Sequence, residues 1–210
     1  MGEFSPYVDN GGTTLAIAGP DFVVIAGDTR LSTGYSILSR DVSKLFKYSD
    51  SIVMASSGMQ ADIAELRKQL LFTIEEYRVD NERDIELDAF YRLLATVLYG
   101  KRFFPYYSFN ILAGISKEGK GVVYSYDAIG SADARTYGAA GSGQELVISI
   151  LDAALKRKPD PLSIDEAIEL GKSALKQATE REIHTGDSGE MYIIRAGRPA
   201  EYITFKLRKD

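Results

Sequence analysis

The sequence predicts an α+β fold, a four-layer αββα sandwich, on three observations. Hairpin signals alternate with pairs of helices, not single strands with single helices, which disfavours the parallel sheets of Rossmann and barrel folds. Hairpins make antiparallel strands. The run Phe22-Val23-Val24-Ile25-Ala26 is continuously apolar and therefore needs cover on both faces. Two antiparallel sheets stacked face to face, each with a helix pair outside it, meet these demands within one domain.

The elements follow in order. Residues 13–18 and 22–26 are β-rich runs separated by Gly19-Pro20-Asp21, a hairpin signal. Residues 45–48 and 52–57 make a second hairpin around Ser49-Asp50. Ile63, Leu66, Leu70, Ile74 and Tyr77 then recur at helical spacing, as do Leu87, Phe90, Leu94, Val97 and Leu98. Residues 107–115 and 122–126 flank the turn Lys117-Glu118-Gly119-Lys120. The second helix pair is marked first by Leu146, Val147, Ile150, Leu151 and Ala154. Its second member opens with the capping box Ser163-Ile164-Asp165-Glu166 after Pro161. A hairpin of residues 191–194 and 200–205 closes the chain.

Composition removes several chemistries. With no cysteine there is no disulfide, no thiolate metal site and no cysteine nucleophile. The single histidine, His184, rules out a two-histidine zinc site. It is read as a hydrogen-bonded side chain, at the surface or partly buried, rather than a catalyst. No metal and no cofactor are expected. A net charge of −5 argues against a nucleic-acid partner. No apolar run approaches the length of a membrane span. The start, Met1-Gly2-Glu3-Phe4-Ser5-Pro6, fits neither a secretory signal nor a myristoylation site. The acidic runs Glu75-Glu76 and 80–84 are read as solvated helix ends. Gly138-Ala139-Ala140-Gly141-Ser142-Gly143 fits no phosphate-binding spacing and is read as a tight turn with close backbone packing.

One constellation is more specific. Asn10-Gly11-Gly12-Thr13-Thr14-Leu15-Ala16-Ile17 precedes Ala26-Gly27-Asp28-Thr29-Arg30, then Lys44, Ser57-Gly58 and Gly141-Ser142-Gly143. This resembles the proteasome β-subunit family of the N-terminal-nucleophile hydrolases, whose fold is also an αββα sandwich. The resemblance implies a nucleophilic N-terminal threonine after a glycine, with its own amine as base, a lysine that tunes the site, and a glycine turn offering N–H groups to an oxyanion. In that family the Asp lies 16 positions after the nucleophile and the Lys 32 after it. Counting back from Asp28 and from Lys44 lands both times on Gly12. Gly58 then matches the oxyanion glycine and Ser142 the site serine. Arg181-Glu182-Ile183-His184-Thr185-Gly186 matches the family's Arg-Asp-x-x-Ser-Gly, with Glu182 for the Asp and Thr185 for the Ser.

The nucleophile position therefore holds a glycine, which has no hydroxyl, and Asp28, Lys44, Gly58, Ser142, Glu182 and Thr185 are read as the remnant of a site. The extra methylene of Glu182 is expected to misplace its carboxylate. Asp28, Arg30 and Lys44 are expected to form a buried or half-buried ion-pair network near the sheet ends. The alternative is an active threonine peptidase using Thr13 after cleavage at Gly12–Thr13. A one-residue shift along a strand, however, turns a side chain to the opposite face.

The resemblance spans nearly the whole chain and is strongest to non-catalytic members of the family. It rests on Phe4-Ser5-Pro6-Tyr7, on the block Leu98-Tyr99-Gly100-Lys101-Arg102-Phe103-Phe104-Pro105-Tyr106-Tyr107, on Gly119-Lys120-Gly121-Val122-Val123-Tyr124-Ser125-Tyr126-Asp127, and on Leu207-Arg208-Lys209-Asp210. Ala128 departs from the proline common there, and the connection 156–161 is shorter than in many relatives. The resemblance implies residues 1–11 retained as an extension before one domain, 12–210. It implies a place in a 28-subunit particle beside β5 and β7, with α-ring and opposite β-ring contacts, in cytoplasm and nucleus. It further implies that residues 126–133, with Asp127, Ser131 and Asp133, shape the pocket of the adjoining β5 subunit. Phe103, Phe104, Tyr106 and Tyr107 are expected to be exposed, as suits an assembly partner.

Overall fold

The computed structural model describes residues 4–156 and 161–209. Most of the short connection, 157–160, lies outside the described residues, as do residues 1–3 of the extension and Asp210. The described chain forms twelve strands and four helices. In order they are β1 (Thr13–Ala18), β2 (Phe22–Asp28), β3 (Leu31–Thr33), β4 (Ser36–Ser39), β5 (Leu45–Ser49), β6 (Ile52–Gly58), α1 (Gln60–Asn81), α2 (Leu87–Tyr99), β7 (Ser108–Ile115), β8 (Gly121–Tyr126), β9 (Ala132–Arg135), β10 (Tyr137–Gly141), α3 (Gln144–Leu155), α4 (Ile164–Ala178), β11 (Ser188–Arg195) and β12 (Glu201–Lys206). One five-stranded sheet has the order β10-β1-β2-β11-β12 and the other β5-β6-β7-β8-β9, beside the small β3-β4 ribbon. Their ladders are antiparallel.

The period-two alternation of strand side chains builds three apolar layers from two sheets. On β1 and β2, Leu15, Ile17, Phe22, Val24 and Ala26 face α3 and α4, where they meet Val147, Leu151, Ala174 and Leu175. Their neighbours Ala16, Val23 and Ile25 point the other way, into the space between the sheets, against Val53, Ala55, Ile111 and Ala113. Ile52, Met54 and Leu112 leave the second sheet on its far side, against Leu66, Leu70, Phe90 and Leu94 of α1 and α2. All seven residues of β2 are buried, as the apolar run requires of a central strand covered on both faces. The expected αββα sandwich is the fold observed.

The ends of the elements obey local rules. Ser163 Oγ accepts from the Glu166 amide at 3.4 Å, and the Ser163 amide donates to Glu166 Oε2 at 2.9 Å, the reciprocal bonds of a capping box. Three pieces carry no apolar period and were not expected: the β3-β4 ribbon, β9 and β10. β10 is the strand hidden in the glycine-rich stretch read as a turn. Its small residues admit close neighbours, a Cβ on Gly138 meeting Ser125 Oγ at 2.5 Å. The turn itself begins only at Gly141, whose φ of +97° suits glycine. Of the four aromatics expected to be exposed, Phe103 and Phe104 are. Tyr106 is buried, its hydroxyl donating to Gln69 Oε1 at 3.0 Å, and Tyr107 is half-buried.

Candidate functional site

The sheet ends nearest the start of β1 gather every residue of the sequence-predicted remnant. Gly12 enters β1 at φ +92°. No side chain stands on it, and Lys44 takes the space: a Cβ built on Gly12 would run into Lys44 Cε, with Cδ and Nζ each 2.9 Å away. Lys44 is held there by Asp28. Its Nζ pairs with Asp28 Oδ1 at 3.2 Å and donates to the carbonyls of Asp28 at 3.0 Å and Arg30 at 2.7 Å. Three acceptors match the three protons of a lysine ammonium.

The expected ion-pair network exists and is buried, but its partners differ from the simplest expectation. The Asp28 carboxylate accepts from the amides of Thr13 at 2.8 Å, Arg30 at 3.1 Å and Gly186 at 3.2 Å. The Arg30 guanidinium turns instead to Asp187, with Nε at 2.9 Å from Oδ2, and to the Ile183 carbonyl. Arg40 reaches the same carboxylate from the surface. Burial pushes the Asp187 carboxyl up, but the hydrogen bonds and charges of Arg30 and Arg40 outweigh it and hold the group below the usual carboxylate range. Glu190, also buried, accepts from the amides of Lys44 at 2.6 Å and Leu45 at 3.1 Å and from Tyr202 Oη at 3.2 Å. Desolvation raises its carboxyl despite those donors. Asp187 and Glu190 were missed in the sequence. The signal for Asp187 was the need of a buried Arg30 for a carboxylate partner.

Ser142, Glu182 and Thr185 come together on the other side of Gly12. Ser142 Oγ and Thr185 Oγ1 each donate to Glu182 Oε2 at 2.6 Å, and the Ser142 amide donates to the Gly12 carbonyl at 2.9 Å. The longer Glu182 side chain therefore still reaches both hydroxyls of the remnant. Thr13 follows the parity of Leu15 and Ile17, away from Gly12. Thr185 spends its one proton on Glu182, so Thr13 Oγ1 donates to Thr185 Oγ1 at 2.6 Å while accepting from the Gly143 amide at 2.9 Å. This hydroxyl is 0% exposed.

The residues before Gly12 pack over the same place. Gly58 (φ +122°) offers its carbonyl to the Asn10 amide at 3.2 Å. Asn10 Nδ2 donates to the Ser32 carbonyl at 3.1 Å, and Oδ1 accepts from the Gln60 amide at 2.9 Å. Residue Met59, ahead of α1, supplies no side-chain cap, so Asn10 caps that helix from fifty residues away in sequence. Asn10→Ala is expected to strand the part-buried Gln60 amide and the buried Ser32 carbonyl at a cost of about 2 kcal/mol. Hydrogen exchange at the first turn of α1 and at β3 should then quicken by roughly thirtyfold in assembled protein. His184 is half-buried, with Nδ1 at 2.8 Å from Ser32 Oγ, in keeping with its expected bonded role.

Asp127, Ser131 and Asp133 form a separate group at the ends of β8 and β9. Asp127 Oδ1 accepts from the amides of Ile129 at 3.0 Å and Ser131 at 2.8 Å, closing the turn. Asp133 is exposed and lies 3.5 Å from Arg135. The three rim an opening of about 290 Å³ between β8–β9 and β10–α3. Among the described residues no group of three or more His, Asp or Glu side chains could hold a metal ion, and no helix is long and apolar enough to cross a membrane.

The model of the proteasome subunit family matches residues 8–194. Among curated proteins, proteasome subunit beta type-1 of Arabidopsis thaliana is 49% identical over 219 aligned positions, which cover 99% of this chain and 97% of that one. The beta type-1 subunit of Petunia hybrida is 47% identical over 99% of this chain and 97% of its own. That of Drosophila melanogaster is 43% identical over 99% of this chain and 92% of its own.

Proposed function

Because the chain belongs to the proteasome subunit family, as a β-type subunit of the type-1 (β6) kind, we propose that it serves the 20S core particle as an architectural, proteolytically silent subunit. In this reading it fills one place in a seven-membered β ring between β5 and β7, touches the α ring and the opposite β ring, and works in cytoplasm and nucleus within ATP- and ubiquitin-dependent protein degradation. One observation carries the silence: the nucleophile position is Gly12, and the space a nucleophile's side chain would need is filled by Lys44. Thr13, the alternative nucleophile, speaks against itself, since its hydroxyl is buried and bonded on both sides.

Self-cleavage in this family needs a hydroxyl beside the scissile bond, and Gly11–Gly12 has none to offer. The segment before Gly12 is therefore retained ahead of a single domain. The intact mass of the subunit from assembled particles should place Gly12 inside the chain. A mature chain beginning at Thr13 would replace the silent reading with the threonine peptidase.

The proposed reading also gives the turn after β8 a part in the adjoining β5 pocket. Support comes from its rigidity, with Asp127 bracing the turn, and from the exposed carboxylate of Asp133 at an open rim. Two acids at a pocket wall favour basic substrate groups and repel acidic ones, less so as salt rises. Particles carrying Asp127→Asn and Asp133→Asn, which keep the turn's acceptor, should lose about threefold of the preference for a basic over an acidic residue two positions upstream of chymotrypsin-like cleavage. Selectivity unchanged at low salt would reject the shared pocket and leave the architectural role standing.

A further inference from the structure

Four connections meet at the end of the sandwich remote from Gly12, around an opening of about 690 Å³, more than twice the 290 Å³ beside Asp127. The layer order decides what each one brings. The α1–α2 connection and the first turn of α2 carry Asp84, Glu86 and Asp88 in from the outer helix layer. The β5–β6 and β7–β8 turns of the second sheet make the middle, and the β11–β12 turn of the first sheet carries Arg195 and Arg198. Acids therefore stand on one rim and guanidiniums on the other. The frame is braced: the Ile115 amide donates to the Ser51 carbonyl and the Ala196 amide to the Asp21 carbonyl, both at 3.1 Å. Lys117 Nζ pairs with Glu86 at 2.6 Å and Arg195 Nη1 with Glu201 at 3.0 Å. Asp84 and Arg198 remain. Both are exposed, and among the described residues neither side chain has a hydrogen-bond or ion-pair partner. Between the two rims Ile115 and Pro199 offer apolar surface.

A ligand that answers both rims needs a cation at one end, an anion at the other and apolar groups between. A short free peptide with apolar side chains has this form by construction. Stacked sheets lie about 10 Å apart and an extended chain advances about 3.4 Å per residue, so about four residues cross from rim to rim. We propose that this opening binds free apolar peptides of about four residues, with the amino end at Asp84 and the carboxylate at Arg198. Guanidinium and carboxylate match as a two-pronged pair. Asp88, on the rim of Asp84, adds a second negative charge for the amine. The site shares no residue with the cluster around Gly12 and does not rest on the silence proposed for it.

The test uses assembled particles whose threonine sites are blocked by a covalent inhibitor, so that the peptide stays whole. The probe is Leu-Leu-Phe-Leu with a benzophenone on the phenylalanine ring. The readout is the photo-crosslinks it leaves on residues 115–119 and 195–199 of this subunit. Converting the probe's carboxylate to an amide should lower that labelling about fivefold, and acetylating its amine about threefold. Arg198→Glu should erase the first difference and keep the second, and Asp84→Lys should do the reverse. Both positions are exposed, so neither change disturbs a packed neighbour. Absence of labelling there overturns the proposal, as does equal labelling by all three forms of the probe. Variants that keep both differences overturn it too. A loss on amidation with none on acetylation would assign the opening to the carboxyl-terminal tail of a protein, and overturns the free peptide.

Discussion

Replacing Gly12 by threonine is expected to create no working peptidase. The hydroxyl would return to the position that counting from Asp28 and Lys44 assigns to a nucleophile, yet the surroundings do not receive it. Backbone at φ +92° is strained for a β-branched residue by roughly 1–3 kcal/mol. The new Cβ would also overlap Lys44 Cε. Lys44 can yield only by leaving Asp28 and two carbonyls, which unpairs a buried carboxylate and a buried ammonium together. In Gly12→Thr particles, fluorogenic substrates of each cleavage class should report rates within about twofold of wild type, and the intact mass should show no cut after Gly11. A new activity with a chain shortened at Gly11 would mean that Lys44 yields at little cost, and that the missing hydroxyl alone underlies the proposed silence.

Asp187→Asn should be the most destabilising single change in the neighbourhood. Arg30 is 4% exposed, and Asp187 is its carboxylate partner. Removing one member of a buried pair costs about 3–5 kcal/mol, because the charge left behind has lost both water and partner. Asparagine tolerates the φ of +68° at this position and keeps one acceptor. About 3 kcal/mol is therefore expected, and exchange at the amides of β2 and β11 should quicken on the order of a hundredfold in assembled particles. Asp133→Asn, at an exposed acid, should leave it unchanged. The pH dependence follows from the lowered carboxyl of Asp187. Its folded value lies below its unfolded one, so its stabilisation is fully present above an unfolded pKa of about 3.9. It is lost as pH falls through the depressed folded value. Wild-type exchange should therefore rise toward the Asp187→Asn level only in acid below about pH 4.

Much of this was legible in the chain. The order of hairpins and helix pairs and the unbroken apolar β2 pointed to a stacked pair of antiparallel sheets, because a strand covered on both faces reads as a continuous apolar run. The four helices and the capping box of α4 were equally plain. The family resemblance, counted along the chain, put Asp28, Lys44 and Gly58 about one position, and that position is glycine whatever the fold does with it. Tertiary structure decided the rest, through contacts between residues far apart in sequence that leave no local period. It made a strand of the glycine-rich stretch at β10 by laying it against β1. Arg30 went to Asp187 rather than Asp28, because the Asp28 carboxylate was already taken by three amides and Lys44. Asn10 became the cap of α1 across fifty residues. Lys44 folded into the room that Gly12 leaves, since a missing side chain shows in sequence only as an absence, while what fills the space depends on which side chain packing brings beside it.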